Sequence, residues 1–407
     1  MTYTPVSLVH VFLDNGDKRQ KIGRLALKDR RIYFEYDVDF LQSGLEISPI
    51  KLPLKPGVTV CEDNVFEGLF GVFNDSLPDG WGRLLLDRQM RRHGIVPELL
   101  TPLDRLTHVG QHGMGALVYE PDVSEHVDSK PDISLDHLAE ETVQVLEGEA
   151  EDVIDELLEL SGSSAGARPK VMVGVSPIDS RIIHGSHKLP RGFSPWMIKF
   201  ASSSDPKDIG SIEYGYSLMA HAAGVEIMST HLFPAKKGHG YFGVQRFDRQ
   251  EDARLHMHTV SGLLHADHRL PSLDYESVLR LGLTITRNAR QVEKLFRLTA
   301  FNVFAHNRDD HAKNIAFLLN GNQWLVAPAY DLSFSSGPGG EHSTTVMGEG
   351  KTPATEHLKK LAEKFSIANA GAIIDQIRAA ITDWPEFADK ANVSKASKEM
   401  IGKVLNK

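Results

Sequence analysis

The chain has 407 residues, enough for two or three domains with sizeable cores. A single cysteine, Cys61, excludes an internal disulfide framework and fits a reducing compartment, so a cytoplasmic location is expected. The formal net charge of −9 argues against a strong nucleic-acid binder acting alone, no apolar run approaches a membrane span, and Met1-Thr-Tyr-Thr-Pro5 lacks the basic start of a secretory signal.

The first forty residues read as β-structure. An apolar run over 6–13, an Asn15-Gly16 turn signal, a second run over 22–27 and an alternating stretch over 31–36 predict three strands. Leu77-Pro-Asp-Gly-Trp-Gly82 is a turn, and 83–92 reads as a helix stopped by Gly94. Residues 121–135 read as a linker. The stretch 135–160, with ten Asp or Glu and no Lys or Arg, predicts one acidic helix. Buried strands are expected over 171–175 and 196–200, a helix over 211–223 ending at Gly224, and a strand over 241–247. From Leu273 the pattern is mostly helical, with helices near 291–304 and 354–383. Strands come first and helices later, without repeats, which is an α+β order and not an alternating parallel sheet.

Within the helical half, Asn307-Arg-Asp-Asp-His-Ala-Lys-Asn314 lies between two apolar runs, and Asp331 of Ala329-Tyr-Asp-Leu-Ser333 follows Asn314 by 17 residues. A protein kinase catalytic loop reads H-R-D-x-x-x-x-N and is followed by D-F-G. Here Asn-Arg-Asp309 replaces His-Arg-Asp, Asn314 keeps the spacing of five, and Asp331-Leu-Ser stands for Asp-Phe-Gly. Phosphoryl transfer needs one carboxylate to accept the acceptor's hydroxyl proton and oxygen donors to hold Mg²⁺ against the triphosphate. Asp, Asn and His also crowd into ordinary turns, but the eight-residue block with its downstream Asp331 is much rarer than a bare D-x-x-x-x-N.

Other parts of such a site are recognisable. Leu160-Ser-Gly-Ser-Ser-Ala-Gly-Ala-Arg-Pro-Lys170 is rich in small residues and precedes a strand, so its N–H groups can form an anion nest; a plain loop fits the same residues. Lys199 sits inside the apolar strand Trp196-Met-Ile-Lys-Phe200, where a kinase places its phosphate-contacting lysine and where an edge lysine would snorkel. Glu213, at the start of the next helix, is a candidate ion-pair partner for Lys199 or a first-turn acid favoured by the helix dipole.

Taken together, these motifs resemble the HipA family, the kinase toxins of bacterial type II toxin–antitoxin systems. Phe73-Asn-Asp-Ser-Leu-Pro-Asp-Gly-Trp-Gly-Arg83 is similar to the family's N-terminal signature. Ser163–Lys170 resembles its phosphate-loop segment, Gln245-Arg-Phe-Asp-Arg249 its hinge motif, and Asp309–Asn314 its catalytic loop. The resemblance implies a small β-rich N-terminal domain over 1–125 and a protein-kinase-like two-lobed remainder. That remainder would comprise a linker helix and N-lobe-like region over 126–250 and a helical C-terminal lobe over 251–407. It implies ATP and Mg²⁺ as cofactors. Asp309 would be the catalytic base, and Asn314 and Asp331 would hold Mg²⁺. Lys199, with Ala165 and Gly166 of the loop, would face the phosphates. The backbone of Gln245 and Phe247 would bind adenine, and Asp248 and His311 would lie near the ribose. Ser163 would be autophosphorylated, with Ser161 and Ser164 as alternatives. The implied partners are a HipB-like helix-turn-helix antitoxin, DNA through that antitoxin only, and an aminoacyl-tRNA synthetase as substrate. One departure stands out: the residue after the catalytic Asp is often Gly in the family, and here it is Asp310.

Two other functions fit parts of the chain. A catalytically silent kinase-fold subunit would keep the same motifs. A serine hydrolase would use Gly162-Ser-Ser164-Ala-Gly166, but that G-x-S-x-G follows a helix and precedes a strand, the reverse of the nucleophile elbow. His256, His258, His265 and His268 crowd into 13 residues and read as solvated loop histidines better than as a zinc site.

Overall fold

A computed structural model describes residues 3–124, 132–148, 153–162, 166–185, 189–250 and 253–406. The chain forms two compact units. The first comprises Met1–Asp205, Gly243–His258 and Gly262–His265; the second comprises Pro206–Phe242, Thr259–Ser261 and Ala266–Lys407.

The three expected N-terminal strands are present: β1 (Leu8–Asp14), β2 (Arg19–Lys28) and β3 (Arg31–Tyr36). Two further short strands, β4 (Val58–Val60) and β5 (Leu117–Glu120), complete a five-stranded sheet in the order β4-β3-β2-β1-β5. Neighbouring strands are antiparallel, and a register shift between Val11 and Phe12 bends β1. Alternation sets the faces: Val9 and Val11 of β1, and Ile32, Phe34 and Tyr36 of β3, point into the core. There the Phe34 ring lies 5.0 Å from Phe73 and 6.3 Å from Phe70, centroid to centroid. Phe73 opens the signature segment and Phe70 just precedes it, so that segment is rooted in this core.

The acidic stretch is two helices, not one. Leu135–Glu147 ends at Gly148, whose φ of +81° is the left-handed cap that glycine adopts without strain, and Ile154–Ser161 follows. The helix Gly80–Arg92 packs against the latter, with Gln89 Nε2 and Arg92 Nη1 each 3.0 Å from the Asp155 carboxylate. Ser161 leads through the serine-rich loop into β6 (Lys170–Val175). This strand is wholly buried and pairs antiparallel with β7 (Ile182–His184) and β8 (Ser194–Lys199).

The second unit is mainly helical, with Ile209–Ala222, Tyr275–Thr286 and Ala289–Phe304 as its longer early helices. The helix expected over 354–383 breaks into Thr355–Lys364 and Ala370–Thr382, with Ser366 between them at φ +56°. Tyr216 and Trp384 meet edge to face at 5.3 Å in the core, and the Tyr216 hydroxyl donates to Ala305 O at 2.7 Å. That bond fixes the end of Ala289–Phe304, from which the candidate catalytic loop departs. An antiparallel hairpin, Ala316–Asn320 with Gln323–Val326, follows the loop and returns the chain to Asp331. Among the described residues no helix is long and apolar enough to cross a membrane.

Candidate active site

The loop after Ala289–Phe304 is held by a buried polar chain. Asn302, in the last turn of the helix, accepts from Asn307 Nδ2 at 2.9 Å and donates its own amide to the Tyr275 hydroxyl at 2.9 Å. Tyr275 in turn donates to Asp310 at 2.9 Å. The Asp310 carboxylate, 1% exposed, also accepts from Ser343 N at 2.8 Å and Thr344 N at 3.2 Å, and lies 2.9 Å from His342 Nδ1. Burial, and then the charge of Asp310, push the Tyr275 hydroxyl well above its ordinary pKa, so it stays a donor. Arg308 donates to the carbonyls of Gly340 and, at 3.0 Å, Lys351. The position where the family often has glycine is thus the anchor of the loop. Its sequence signal was the departure itself; Tyr275, Asn302 and His342 gave none, because their contacts are 27 to 35 residues apart in the chain.

Beside this anchor Asp309 turns outward, its side chain 58% exposed. Asn314 Nδ2 donates to Asp309 O at 2.7 Å, and Asn314 N donates to His311 O at 2.8 Å, which closes the loop into one turn. His311 Nε2 lies 3.8 Å from Asp309 Oδ1. Its Nδ1 is buried without a hydrogen-bond partner. Asp331 has φ +57°, a left-handed conformation rare for a non-glycine residue and one that clusters at functional sites. Its approach is fixed by Ala329 N donating to Glu226 O at 2.7 Å and by the Tyr330 hydroxyl donating to Lys313 O. Asn314 and Asp331 each carry a hard oxygen of the kind Mg²⁺ takes, and Asp309 leaves an exposed carboxylate in the same turn as Asn314. With the orphaned His311 Nδ1, the residues present fit a metal–nucleotide.

The remaining expected residues belong to the first unit, except Glu213, which is buried in Ile209–Ala222. Lys199 is buried at the end of β8, directly opposite Lys170 of β6. Lys170 Nζ approaches Gly166 so closely that a Cβ there would lie 2.5 Å from it. Lys170 was not singled out by sequence; its signal was its position closing the loop. Ser163, Ser164 and Ala165 lie outside the described residues. Ser161 does not suit a phosphate acceptor: it is fully buried, accepts from Trp81 Nε1 at 2.9 Å and donates to Lys170 O at 2.9 Å. Gln245 ends a strand and Phe247 is half-buried, with Arg246 N between them donating to Pro195 O at 2.9 Å.

Asp248 is fully buried, its carboxylate held by Arg246 at 2.7 and 2.9 Å, Arg249 at 2.6 Å and Gly115 N at 2.8 Å. Burial alone would raise its pKa, but the two guanidiniums hold it well below the usual carboxylate range. Arg249 and Arg254 also donate to the carbonyls of Gly113 and Gly115. The carboxylate therefore ties the hinge motif to the loop before β5.

The model of the HipA N-terminal domain matches residues 10–120, and that of the HipA-like C-terminal domain matches residues 162–384, more than half of the chain. The chain belongs to the HipA family. Its fold is similar to that of a Shewanella oneidensis MR-1 HipA, solved with HipB and operator DNA. The TM-score is 0.69 at 16% identity over 98% of this chain and 94% of that one. A Helicobacter pylori proinflammatory kinase, CtkA, matches at TM-score 0.35 and 14% identity, over 52% of this chain and 86% of that one. No curated relative matches the chain.

Within this HipA-family chain three of the four clustered histidines expected to be solvated are buried, and His268 is half-buried. His256 Nε2 lies 2.8 Å from Ile47 O, and burial pushes its pKa down to about 4. His258 joins Asp75 at 2.6 Å to Ser48 at 3.0 Å. That is the order of a Ser-His-Asp triad, yet Ser48 and His258 are at most 1% exposed, so no ester or amide can reach the hydroxyl. His265 contacts Asp63 through Nδ1 at 2.6 Å and accepts from Gly71 N through Nε2 at 2.9 Å. Cys61 lies nearby, and burial pushes its thiol up to about 11. With both ring nitrogens engaged and no thiolate, this trio does not suit a metal.

Proposed function

We propose that the chain is an ATP-dependent protein serine/threonine kinase and the toxin of a type II toxin–antitoxin pair. The observation that carries this reading is the pairing of an exposed Asp309 with a buried, four-times-bonded Asp310 in one loop. The first is placed to accept a proton and the second to keep it still. Asp309 takes the proton of the incoming hydroxyl as it attacks, a role that needs a positioned base and little else from the protein. Asn314 and Asp331 are the residues that would hold Mg²⁺, Lys199 would contact the phosphates, and His311 offers an orphaned nitrogen to the nucleotide. Bound Mg²⁺–ATP would supply the phosphoryl group and neutralise part of the triphosphate charge.

Ser163, or Ser164 beside it, is the proposed site of autophosphorylation. A phosphate there adds roughly −1.5 to −2 charges near groups that serve a triphosphate, which disfavours nucleotide binding and silences the kinase. A helix-turn-helix antitoxin of the HipB kind is the proposed partner, in line with the HipA–HipB–DNA complex of the Shewanella protein. The net charge of −9 fits DNA contact through that partner. An aminoacyl-tRNA synthetase is the proposed substrate.

Incubation with Mg²⁺–ATP followed by intact-mass measurement and peptide mapping tests this reading. One added phosphate on Ser163 or Ser164 is expected. An unmodified protein that also transfers no phosphate to any synthetase would favour a silent binding subunit.

A further inference from the structure

Two left-handed residues that are not glycine flank the candidate site, both within the second unit. His306 sits where the chain turns out of the helix Ala289–Phe304, with His306 N donating to Val303 O at 3.4 Å and Asn307 N to Asn302 O at 3.0 Å. That closure usually places glycine where His306 stands at φ +53°. Asp331, at φ +57°, is the second. A side chain in this region is strained and stays there only where its surroundings over-determine it. The contacts of His306 do so. Its ring stacks on Phe334, 5.2 Å between centroids and 12° between planes. Its Nδ1 donates to Ser335 O at 3.1 Å, and Ser335 N donates back to His306 O at 3.1 Å. Arg308 and Asp310 hold the same segment further along, at Gly340 O and Ser343 N, while Asp309 between them stays exposed.

We propose that His306 and Phe334 are positioning residues that fix Asp331 relative to Asp309. The stack lies three residues before Asp309 and three residues after Asp331, so it joins the stems of both turns. On the other side of Asp331, Ala329 N and the Tyr330 hydroxyl are tied to Glu226 O and Lys313 O. Phe334 and Ser335 close the second side, and the left-handed φ of Asp331 is held from both. A glycine at 306 would suit the backbone better but has no ring to stack, and the ring is what histidine supplies there. The role rests on the kinase reading of Asp309 and Asp331; the joint itself does not.

Hydrogen exchange of the full-length protein without metal or nucleotide, read on peptides spanning 327–337, tests the joint. The Mg²⁺ concentration that half-saturates ATP binding tests its role. His306→Gly relieves the backbone and removes the ring, and Phe334→Leu keeps apolar bulk without a ring. Each should raise exchange of those peptides about tenfold, the factor that one lost hydrogen bond of ordinary strength gives. Exchange of the helix Ala370–Thr382 should stay as in wild type. The Mg²⁺ requirement should rise severalfold in both variants, with ATP affinity in EDTA unchanged. Phe334→Tyr keeps the ring and should restore both readouts. Unchanged exchange in His306→Gly and Phe334→Leu, or a Phe334→Tyr variant as impaired as the leucine, would overturn the joint. Faster exchange with an unaltered Mg²⁺ requirement would overturn its positioning role. If wild type itself binds no ATP in Mg²⁺, the kinase reading fails, and the exchange data still decide whether the stack holds the Asp331 turn.

Discussion

Asp310 offers the sharpest test of how the catalytic loop is held. Asp310→Ala leaves the Tyr275 hydroxyl, His342 Nδ1, Ser343 N and Thr344 N facing a void in a buried place. A buried donor without a partner costs ~1–3 kcal/mol, and water entering the vacated space re-satisfies some of the four. Removing one partner from a buried charged network costs ~3–5 kcal/mol, which is the loss expected here. For a unit of roughly 200 residues each kcal/mol moves Tm by ~2–4 °C, so a fall on the order of 10 °C follows. Asp310→Asn keeps one acceptor for the two backbone N–H groups and should lose about 1–2 kcal/mol. Thermal unfolding followed by circular dichroism measures both. An alanine variant within about 1 kcal/mol of wild type, the range of an ordinary surface substitution, would refute the claim that this carboxylate holds the loop.

Three further outcomes are expected. Asp331→Ala should weaken ATP binding far more in Mg²⁺ than in EDTA, because its oxygen serves the metal; calorimetric titration in both buffers checks this, and equal losses would remove the metal role. Asp248→Ala should destabilise the first unit by ~3–5 kcal/mol by leaving two buried guanidiniums unpaired, without a selective loss of ATP affinity; a variant of normal stability that fails to bind ATP would restore Asp248 to the nucleotide site. His256 has a folded pKa of about 4, below its unfolded value of ~6.5, so its contribution is complete above pH ~6.5 and lost as pH falls toward 4, by ~3 kcal/mol at most. Urea unfolding at pH 7.5 and 4.5 should therefore show a smaller drop for His256→Gln than for wild type, and identical drops would mean another group carries the acid sensitivity.

The sequence was most informative where local pattern and local structure agree. Strands β1 to β3, the stop of Gly80–Arg92 before Gly94, and the buried run of β6 follow from alternation, glycine position and apolar content. The candidate catalytic loop stands out through its spacing, and Asp309 and Asn314 do close one turn. Two helix breaks were missed. Gly148 sits inside a continuous acidic pattern that hides its capping role, and Ser366 carries no side-chain signal for a left-handed φ. What stayed hidden were partnerships across long sequence distances. Nothing near Asp248 in sequence points to Gly115, 133 residues earlier, which donates to it. Buried histidines look solvated until Asp75 and Ile47 are placed beside them. Polar residues reveal burial only through partners, and no period in the sequence encodes those.

The central claim is that Asp309 is the base of a phosphoryl transfer. The most direct measurement is the single-turnover rate of phosphate incorporation from labelled Mg²⁺–ATP by wild type and Asp309→Asn, with thermal unfolding recorded on the same samples. The side chain is largely exposed, so Tm should not change. Loss of a general base should slow transfer by ~10²–10⁴. A variant that transfers phosphate at the wild-type rate, or a wild type that transfers none while folded and ATP-bound, would contradict the account.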